Sequence, residues 1–181
     1  MFVIFQSKKF MKSKENLVFL GMMGSGKTSI GLIVSKKLRI DFIDIDQEIE
    51  RELGKKITEI FNTKGESYFR NIEEKITLKI LKKKKSSVIS LGGGTFLNKN
   101  IKKEILENHL SFWLMCSNKT LINRIKKNKK RPIAYDSTAN ELIELIKKRS
   151  NIYSKALYKI DCENFTKNEI AEKIIDIYEI N

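Results

Sequence analysis

Residues 21–28 read Gly21-Met22-Met23-Gly24-Ser25-Gly26-Lys27-Thr28 and fit the pattern G-x-x-x-x-G-K-[ST]. No other stretch constrains the fold as strongly. The apolar run Leu17-Val18-Phe19-Leu20 precedes it, and Ile30, Ile33, Val34 and Leu38 follow at helical spacing. Strand, loop and helix in that order are the context a phosphate-cradling loop requires. The glycines let the backbone curl with its N–H groups turned inward, and the following helix adds the positive end of its dipole. A dinucleotide fingerprint would need G-x-G-x-x-G after the strand; the lysine and the hydroxyl point to a mononucleotide triphosphate instead. Gly24, Ser25, Gly26, Lys27, Thr28 and Ser29 are thus candidate nucleotide contacts. Lys27 would neutralise the outer phosphates and the Thr28 hydroxyl would ligate Mg²⁺.

The rest of the chain supports one α/β domain. Apolar strand-like segments at 16–20, 41–46, 87–91, 110–115 and 158–162 alternate with helical patterns. Helices are expected after the loop, at about 46–53 and 57–62, from Gly65 to the Lys82–Lys85 run, around 101–106, at 117–127, 138–156 and 167–179. This alternation predicts a five-stranded parallel sheet with helices on both faces, a three-layer sandwich. Asn128 to about Ser137 is polar and basic, holds the only proline, Pro132, and lies between two helices, so it reads as a mobile lid over about 128–138. Met11 reads as an alternative start. Residues 1–10 are then an extension expected to be disordered, and 11–181 a single domain.

A formal charge of +14 on 181 residues would ordinarily suggest nucleic acid. The basic residues here scatter along helix faces, without the interleaved aromatics of a stacking platform, so no nucleic-acid partner is expected. No apolar run approaches the ~18 residues that span a membrane, and Met1–Phe10 does not have the order of a secretory signal. Cys116 and Cys162 form no metal motif and no disulfide framework; they read as small hydrophobes in a cytoplasmic protein. His109, the sole histidine, reads as structural.

Composition marks other residues. Of 36 basic residues only six are arginine: Arg39, Arg51, Arg70, Arg124, Arg131 and Arg149. In a chain that otherwise uses lysine, arginine should mark places where a planar fork must meet a carboxylate or phosphate. Asp44 and Asp46 lie two apart at the end of the second strand-like segment. In a strand they share a face, where they could hold a magnesium shell and accept a proton. Asp46 reads equally as the N-cap of the helix that follows.

These segments resemble shikimate kinase. Asp44-Ile45-Asp46-Gln47-Glu48-Ile49-Glu50, Ile57-x-Glu59-Ile60-Phe61, Gly65-Glu66-x-x-Phe69-Arg70-x-x-Glu73 and Val88-Ile89-Ser90-Leu91-Gly92-Gly93-Gly94 follow the loop in that family's order and spacing. Arg131-Pro132-Ile133 is similar to its lid motif, and Arg149-x-x-x-Tyr153 to its late arginine motif. The resemblance spans about 14–180. It implies a nucleoside-monophosphate-kinase-like P-loop fold and a cytoplasmic monomer with no nucleic-acid or membrane partner. The implied reaction is transfer of phosphate from ATP to the 3-hydroxyl of shikimate, with Mg²⁺, in chorismate and aromatic amino-acid biosynthesis.

Roles follow by resemblance. The substrate-binding segment would be about 44–74. Asp44 would hold magnesium with Thr28, and Asp46 would bind and activate the acceptor hydroxyl. Arg70 and Arg149 would clamp the acceptor carboxylate, with Glu73 orienting Arg70. Gly92, Gly93 and Gly94 would bring the backbone close to substrate. Arg131 would reach the transferring phosphoryl from the lid, and Arg124 would lie along the adenine. Phe61 and Phe69 would wall the acceptor ring or fill the core; Arg124 and Arg149 read also as surface charges, and the three glycines as a plain connector. Asn151-Ile152-Tyr153 departs from the family's proline before Leu-Tyr. The segment 161–165 matches poorly and yields no named contacts.

Gluconate and nucleoside-monophosphate kinases share the loop and lid, but not Phe69-Arg70 with Gly92-Gly93-Gly94 at this spacing. A GTPase would need an Asn-Lys-x-Asp reader, and Asn118-Lys119-Thr120-Leu121 lacks the aspartate. A catalytically dead scaffold would not need Lys27, Asp44, Asp46 and Arg131 together.

Overall fold

Leu17–Leu20 form the central strand because every one of the four side chains has an apolar layer to enter. The computed structural model describes residues 16–127 and 137–180. The chain runs β1 (Leu17–Leu20), α1 (Lys27–Leu38), β2 (Asp41–Asp44), α2 (Ile45–Leu53), α3 (Ile57–Leu81), β3 (Ser87–Ser90), a 3₁₀ turn (Thr95–Leu97), α4 (Lys99–Asn108), β4 (Leu110–Met115), α5 (Asn118–Lys127), α6 (Ala139–Tyr153), β5 (Tyr158–Asp161) and α7 (Lys167–Ile180). The five strands are parallel in the order β2-β3-β1-β4-β5. Parallel sheets covered on both faces read as continuous apolar runs, as β1 does.

Strand periodicity sorts the core into two layers. Leu17 and Phe19 face Ile30, Val34, Ile170 and Ile174 of α1 and α7. Val18 and Leu20 face Ile49, Ile76, Ile80, Ile101 and Ile105 of α2, α3 and α4, with Tyr153 of α6 in the same layer. The five-stranded, helix-covered sheet read from the sequence is thus the observed one. The strands of its middle end at the P-loop and at the three glycines, the place where open α/β sheets bind ligands.

Three details differ from the sequence reading. First, β2 stops at Asp44 and Ile45 already begins α2, so Asp44 and Asp46 do not share a strand face. Asp44, in an extended conformation, is the N-cap: its carboxylate accepts from the backbone N–H of Asp46 (3.1 Å) and Gln47 (3.4 Å). An aspartate satisfying two orphan N–H groups ends the strand and removes the capping role from Asp46. Second, the helices expected at 57–62 and from Gly65 run together as α3, interrupted only where Gly65 adopts φ 79°, ψ 171°. Third, β1 starts one residue late: the Asn16 backbone N–H is directed to His109 Nδ1 rather than to a neighbouring strand, and its side chain binds further neighbours. Its Oδ1 accepts from Ser87 N–H and its Nδ2 donates to the Leu81 carbonyl, each at 3.1 Å.

His109 is structural, as expected. It is 5% exposed, with Nδ1 at 3.4 Å from the Asn16 backbone N and 3.3 Å from its Nδ2. Burial pushes its pKa below the ordinary value of 6.5, and Glu104 only partly opposes this. The unfolded chain therefore takes up the proton first as pH falls. Stability should be fully present above about pH 6.5 and decline through the pH range below it. Thermal melting between pH 7.5 and 5.5 should show this loss, and His109→Gln should flatten the slope. An unchanged slope would show that another group governs it.

Candidate active site

The P-loop connects β1 to α1 and bends at glycines. Gly26, the residue before α1, sits at φ 98°, and Gly24 at φ 81°. A side chain at Gly24 would also press on the Arg124 β-carbon at 3.3 Å. Lys27 is 9% exposed, and its ammonium donates to the carbonyls of Gly21 (2.8 Å) and Met22 (3.1 Å). The lysine thus lies along the loop it belongs to. Ser25 is buried, and its hydroxyl has no hydrogen-bond partner among the described residues.

A cavity of about 460 Å³ opens over this loop. Gly24, Ser25, Gly26, Lys27, Thr28 and Ser29 line it, together with Asp44, Asp46, Gly93 and Arg124. Asp44 and Asp46 therefore reach one cavity after all, from a strand end and a first helical turn. The Thr28 hydroxyl donates to Asp44 Oδ2 at 3.0 Å. Two hard oxygen groups side by side suit Mg²⁺, which keeps waters and phosphate ligands and needs only one or two protein oxygens. No cluster of three acidic, histidine or cysteine ligands that could hold a metal ion occurs among the described residues. Arg124, exposed on α5, donates to the Gly24 carbonyl at 3.0 Å and leans on the P-loop. Phe165, Lys167 and Cys162 form a further wall that the sequence pattern did not reveal.

The second half of the site is built on Gly92, Gly93 and Gly94. A β-carbon on Gly92 would lie 2.6 Å from Asp46 Oδ1 and 2.9 Å from Thr95 Oγ1. One on Gly93 would lie 3.1 Å from an Arg149 NH1 nitrogen, and one on Gly94 would lie 2.9 and 3.0 Å from the two terminal nitrogens of Arg70. Each glycine thus makes room for a different charged group. The plain-connector reading of this triplet is set aside by these distances. Asp46, Arg149 and Arg70, far apart in sequence, meet one stretch of backbone.

Arg70 is held firmly. Its NH1 donates to Glu73 Oε2 at 2.7 Å, while Nε and NH2 donate to Glu66 at 3.2 and 3.1 Å. Burial works against the guanidinium, but Glu73 and then Glu66 outweigh it and raise its pKa. Its guanidinium carbon lies 5.1 Å from the centroid of Phe69 and 6.0 Å from that of Phe61. Phe69 is buried and Phe61 partly so, with ring centroids 4.6 Å apart. Both are core residues that also support Arg70. Glu73, 2% exposed, accepts a second bond from Thr95 Oγ1 at 2.6 Å, which ties Arg70 to the glycine turn.

Arg149 is half-buried on α6 rather than a free surface charge. Its NH1 contacts the Met22 sulfur at 3.7 Å, and its Nε is buried with no hydrogen-bond partner among the described residues. One turn later Tyr153, 2% exposed, donates its hydroxyl to the Gly93 carbonyl. Burial raises that hydroxyl to about 12 against the opposing influence of Arg149, so it keeps its proton at neutral pH. Sequence reasoning noted Tyr153 only as part of a motif and overlooked Thr95. The i,i+4 spacing of Arg149 and Tyr153, which puts both on one helix face, was the available signal. Arg131 and most of the expected lid, 128–136, lie outside the described residues, as do residues 1–10.

The sequence profile described as Shikimate kinase matches residues 23–179. The chain belongs to the shikimate kinase family. A shikimate kinase of Thermodesulfovibrio yellowstonii is 43% identical over 166 residues, covering 91% of this chain and 95% of that protein. One from Bacillus subtilis is 38% identical over 168 residues, covering 92% and 90%. The solved structure of the Acinetobacter baumannii shikimate kinase in complex with shikimate superposes with a TM-score of 0.85 at 27% identity, over 93% of this chain and 95% of that one.

The buried Glu73 carboxylate is the joint between Arg70 and the glycine turn. Glu73→Ala would leave the buried Thr95 hydroxyl and one edge of the Arg70 fork unpaired. It should cost about 1–3 kcal/mol in urea unfolding. A change below about 0.5 kcal/mol, the range of an ordinary surface substitution, would contradict this.

Proposed function

We propose that this chain transfers the γ-phosphoryl group of ATP to the 3-hydroxyl of shikimate, giving shikimate 3-phosphate and ADP. The observation that carries the reading is the meeting of Asp46, Arg149 and Arg70 at Gly92, Gly93 and Gly94, beside a P-loop cavity. A small acceptor bearing a carboxylate and a hydroxyl fits two guanidinium groups and one carboxylate around a floor of bare backbone. Glu66 already supports half of this: an exposed carboxylate takes up the Nε edge of Arg70.

The P-loop N–H groups and the N-terminus of α1 would hold the phosphates, with Lys27 turning from its loop carbonyls to the outer ones. Thr28 and Asp44 would hold Mg²⁺, which neutralises phosphate charge when bound. Arg70 and Arg149 would grip the carboxylate through paired N–H donors, and the unpartnered Nε of Arg149 suits that task. Asp46 would orient the acceptor hydroxyl and take its proton as the new oxygen–phosphorus bond forms and the bond to ADP breaks. Charge spreads over the phosphoryl oxygens during transfer, so fixed cations do most of the catalysis. Arg131 carries over from the sequence motif as a further cation for the phosphoryl group, on a lid over about 128–138. Arg124, beside Gly24, fits the expected adenine contact. Residues 11–181 act as one kinase domain on this reading, a cytoplasmic monomer without nucleic-acid or membrane partners.

A coupled ADP-release assay with Mg-ATP tests the acceptor. Release should require shikimate; gluconate or AMP serving equally well would overturn the assignment. Asp46→Asn should lower turnover by about a hundredfold or more, the usual scale of a proton-transfer group, with ATP binding intact. Normal turnover in that variant would remove Asp46 from its role. Arg70→Lys should raise the KM for shikimate roughly tenfold, about the worth of one charge-assisted hydrogen bond, and leave that for ATP unchanged. Equal effects on both substrates would refute the clamp.

A further inference from the structure

Cys116 and Cys162 have no part in the mechanism above, and nothing in their sequence spacing joins them. The sheet does. In the parallel pair β4–β5, Met115 is registered with Asp161, and the Cys162 N–H continues the ladder to the Met115 carbonyl at 2.9 Å. Cys116 and Cys162 are the next residues on each strand path. Neighbouring strands lie about 4.8 Å apart, inside the ~4.4–6.8 Å between α-carbons that a disulfide spans. Both side chains enter the same layer, the one shared with α1 and α7. Both thiols are free.

We propose that Cys116 and Cys162 form a dithiol site for oxidants of the peroxide class, closing to an intramolecular disulfide beneath the P-loop. Their unequal surroundings assign the two roles. Cys116 is half-buried, its sulfur 3.7 Å from the Arg124 NH1 nitrogen and 3.8 Å from the Ser25 carbonyl oxygen. A hydrogen bond from Cys162 lowers its pKa; burial opposes this, Arg124 assists and Glu163 opposes. Cys162 is 5% exposed and borders the cavity, and its hydrogen bond to Cys116, with burial, raises its pKa. The more acidic, more accessible thiol is the attacking one, and the other resolves it.

The chemistry balances without any group from the protein beyond the two sulfurs. The Cys116 thiolate attacks one peroxide oxygen and the O–O bond breaks. The departing hydroxide takes up the proton released by the thiol and leaves as water, so Cys116 becomes a sulfenic acid. The Cys162 sulfur then attacks the Cys116 sulfur, the S–O bond breaks, and the oxygen leaves as water with the Cys162 proton. Two thiols and one hydrogen peroxide give one disulfide and two waters, the sulfurs losing the two electrons that the peroxide gains.

The test uses the full chain at neutral pH, treated with hydrogen peroxide, alkylated and digested with trypsin. Peptides 104–119 and 160–167 each carry one of the cysteines. The expected result is loss of both titratable thiols together and a linked peptide pair lighter by two hydrogens, reversed by dithiothreitol. In Cys162→Ser, Cys116 should instead be trapped by dimedone as a sulfenic acid; in Cys116→Ser, Cys162 should stay reduced. Overoxidation of Cys116 with Cys162 still fully alkylated, linkage only between separate chains, or two unreacted thiols would each overturn the proposal.

Discussion

Three consecutive residues without side chains, Gly92, Gly93 and Gly94, let charged groups from three separate elements approach one turn of backbone. The rest of the site depends on this. Asp46 comes from the first turn of α2, Arg70 from the middle of α3 and Arg149 from the end of α6. Any β-carbon at Gly92 or Gly94 would stand within 3.0 Å of a charged or hydroxyl atom. The turn is itself fixed from both sides. Tyr153 binds the Gly93 carbonyl, and Glu73 joins Thr95 to Arg70. The buried hydrogen bonds of Glu73 and Tyr153 hold a geometry where exposed ion pairs would not.

The same contrast separates function from surface in this basic chain. Ion pairs such as Lys55–Glu59, Lys79–Glu52 and Lys147–Glu144 are well exposed and contribute little to stability. The arginines are placed otherwise. Arg70 and Arg149 stand at the glycine turn and Arg124 braces the P-loop. Arg39 is the exception of backbone, closing α1 in a left-handed conformation, and Arg51 makes only an exposed pair with Glu48. Three of the five described arginines thus stand at the P-loop or the glycine turn, and two stand elsewhere.

Much of this was legible in the sequence. The P-loop and the alternation of strands with helices fixed the layered sheet, because both depend on local pattern. The family resemblance singled out Asp46, Arg70, Arg149 and the glycine triplet, and the fold brings these residues together. Other features were hidden for physical reasons. The end of β2 was misread because the aspartate spacing suits a strand equally well, and only the capping bonds made by Asp44 decide for a helix. Thr95 and Tyr153 act through single hydrogen bonds to distant partners, which no periodicity records. The Cys116–Cys162 juxtaposition arises from strand register across β4 and β5, and the two residues stand 46 apart in sequence, with α5 and α6 among the elements between them.

The proposed acceptor clamp requires a bare backbone at the glycine triplet. Titration calorimetry of Gly94→Ala, with folding checked by circular dichroism, tests it most directly. The added methyl would press on both terminal nitrogens of Arg70. Shikimate affinity should fall roughly tenfold or more, about 1.4 kcal/mol, while ADP affinity stays unchanged. Undiminished shikimate binding in a folded variant would contradict the account.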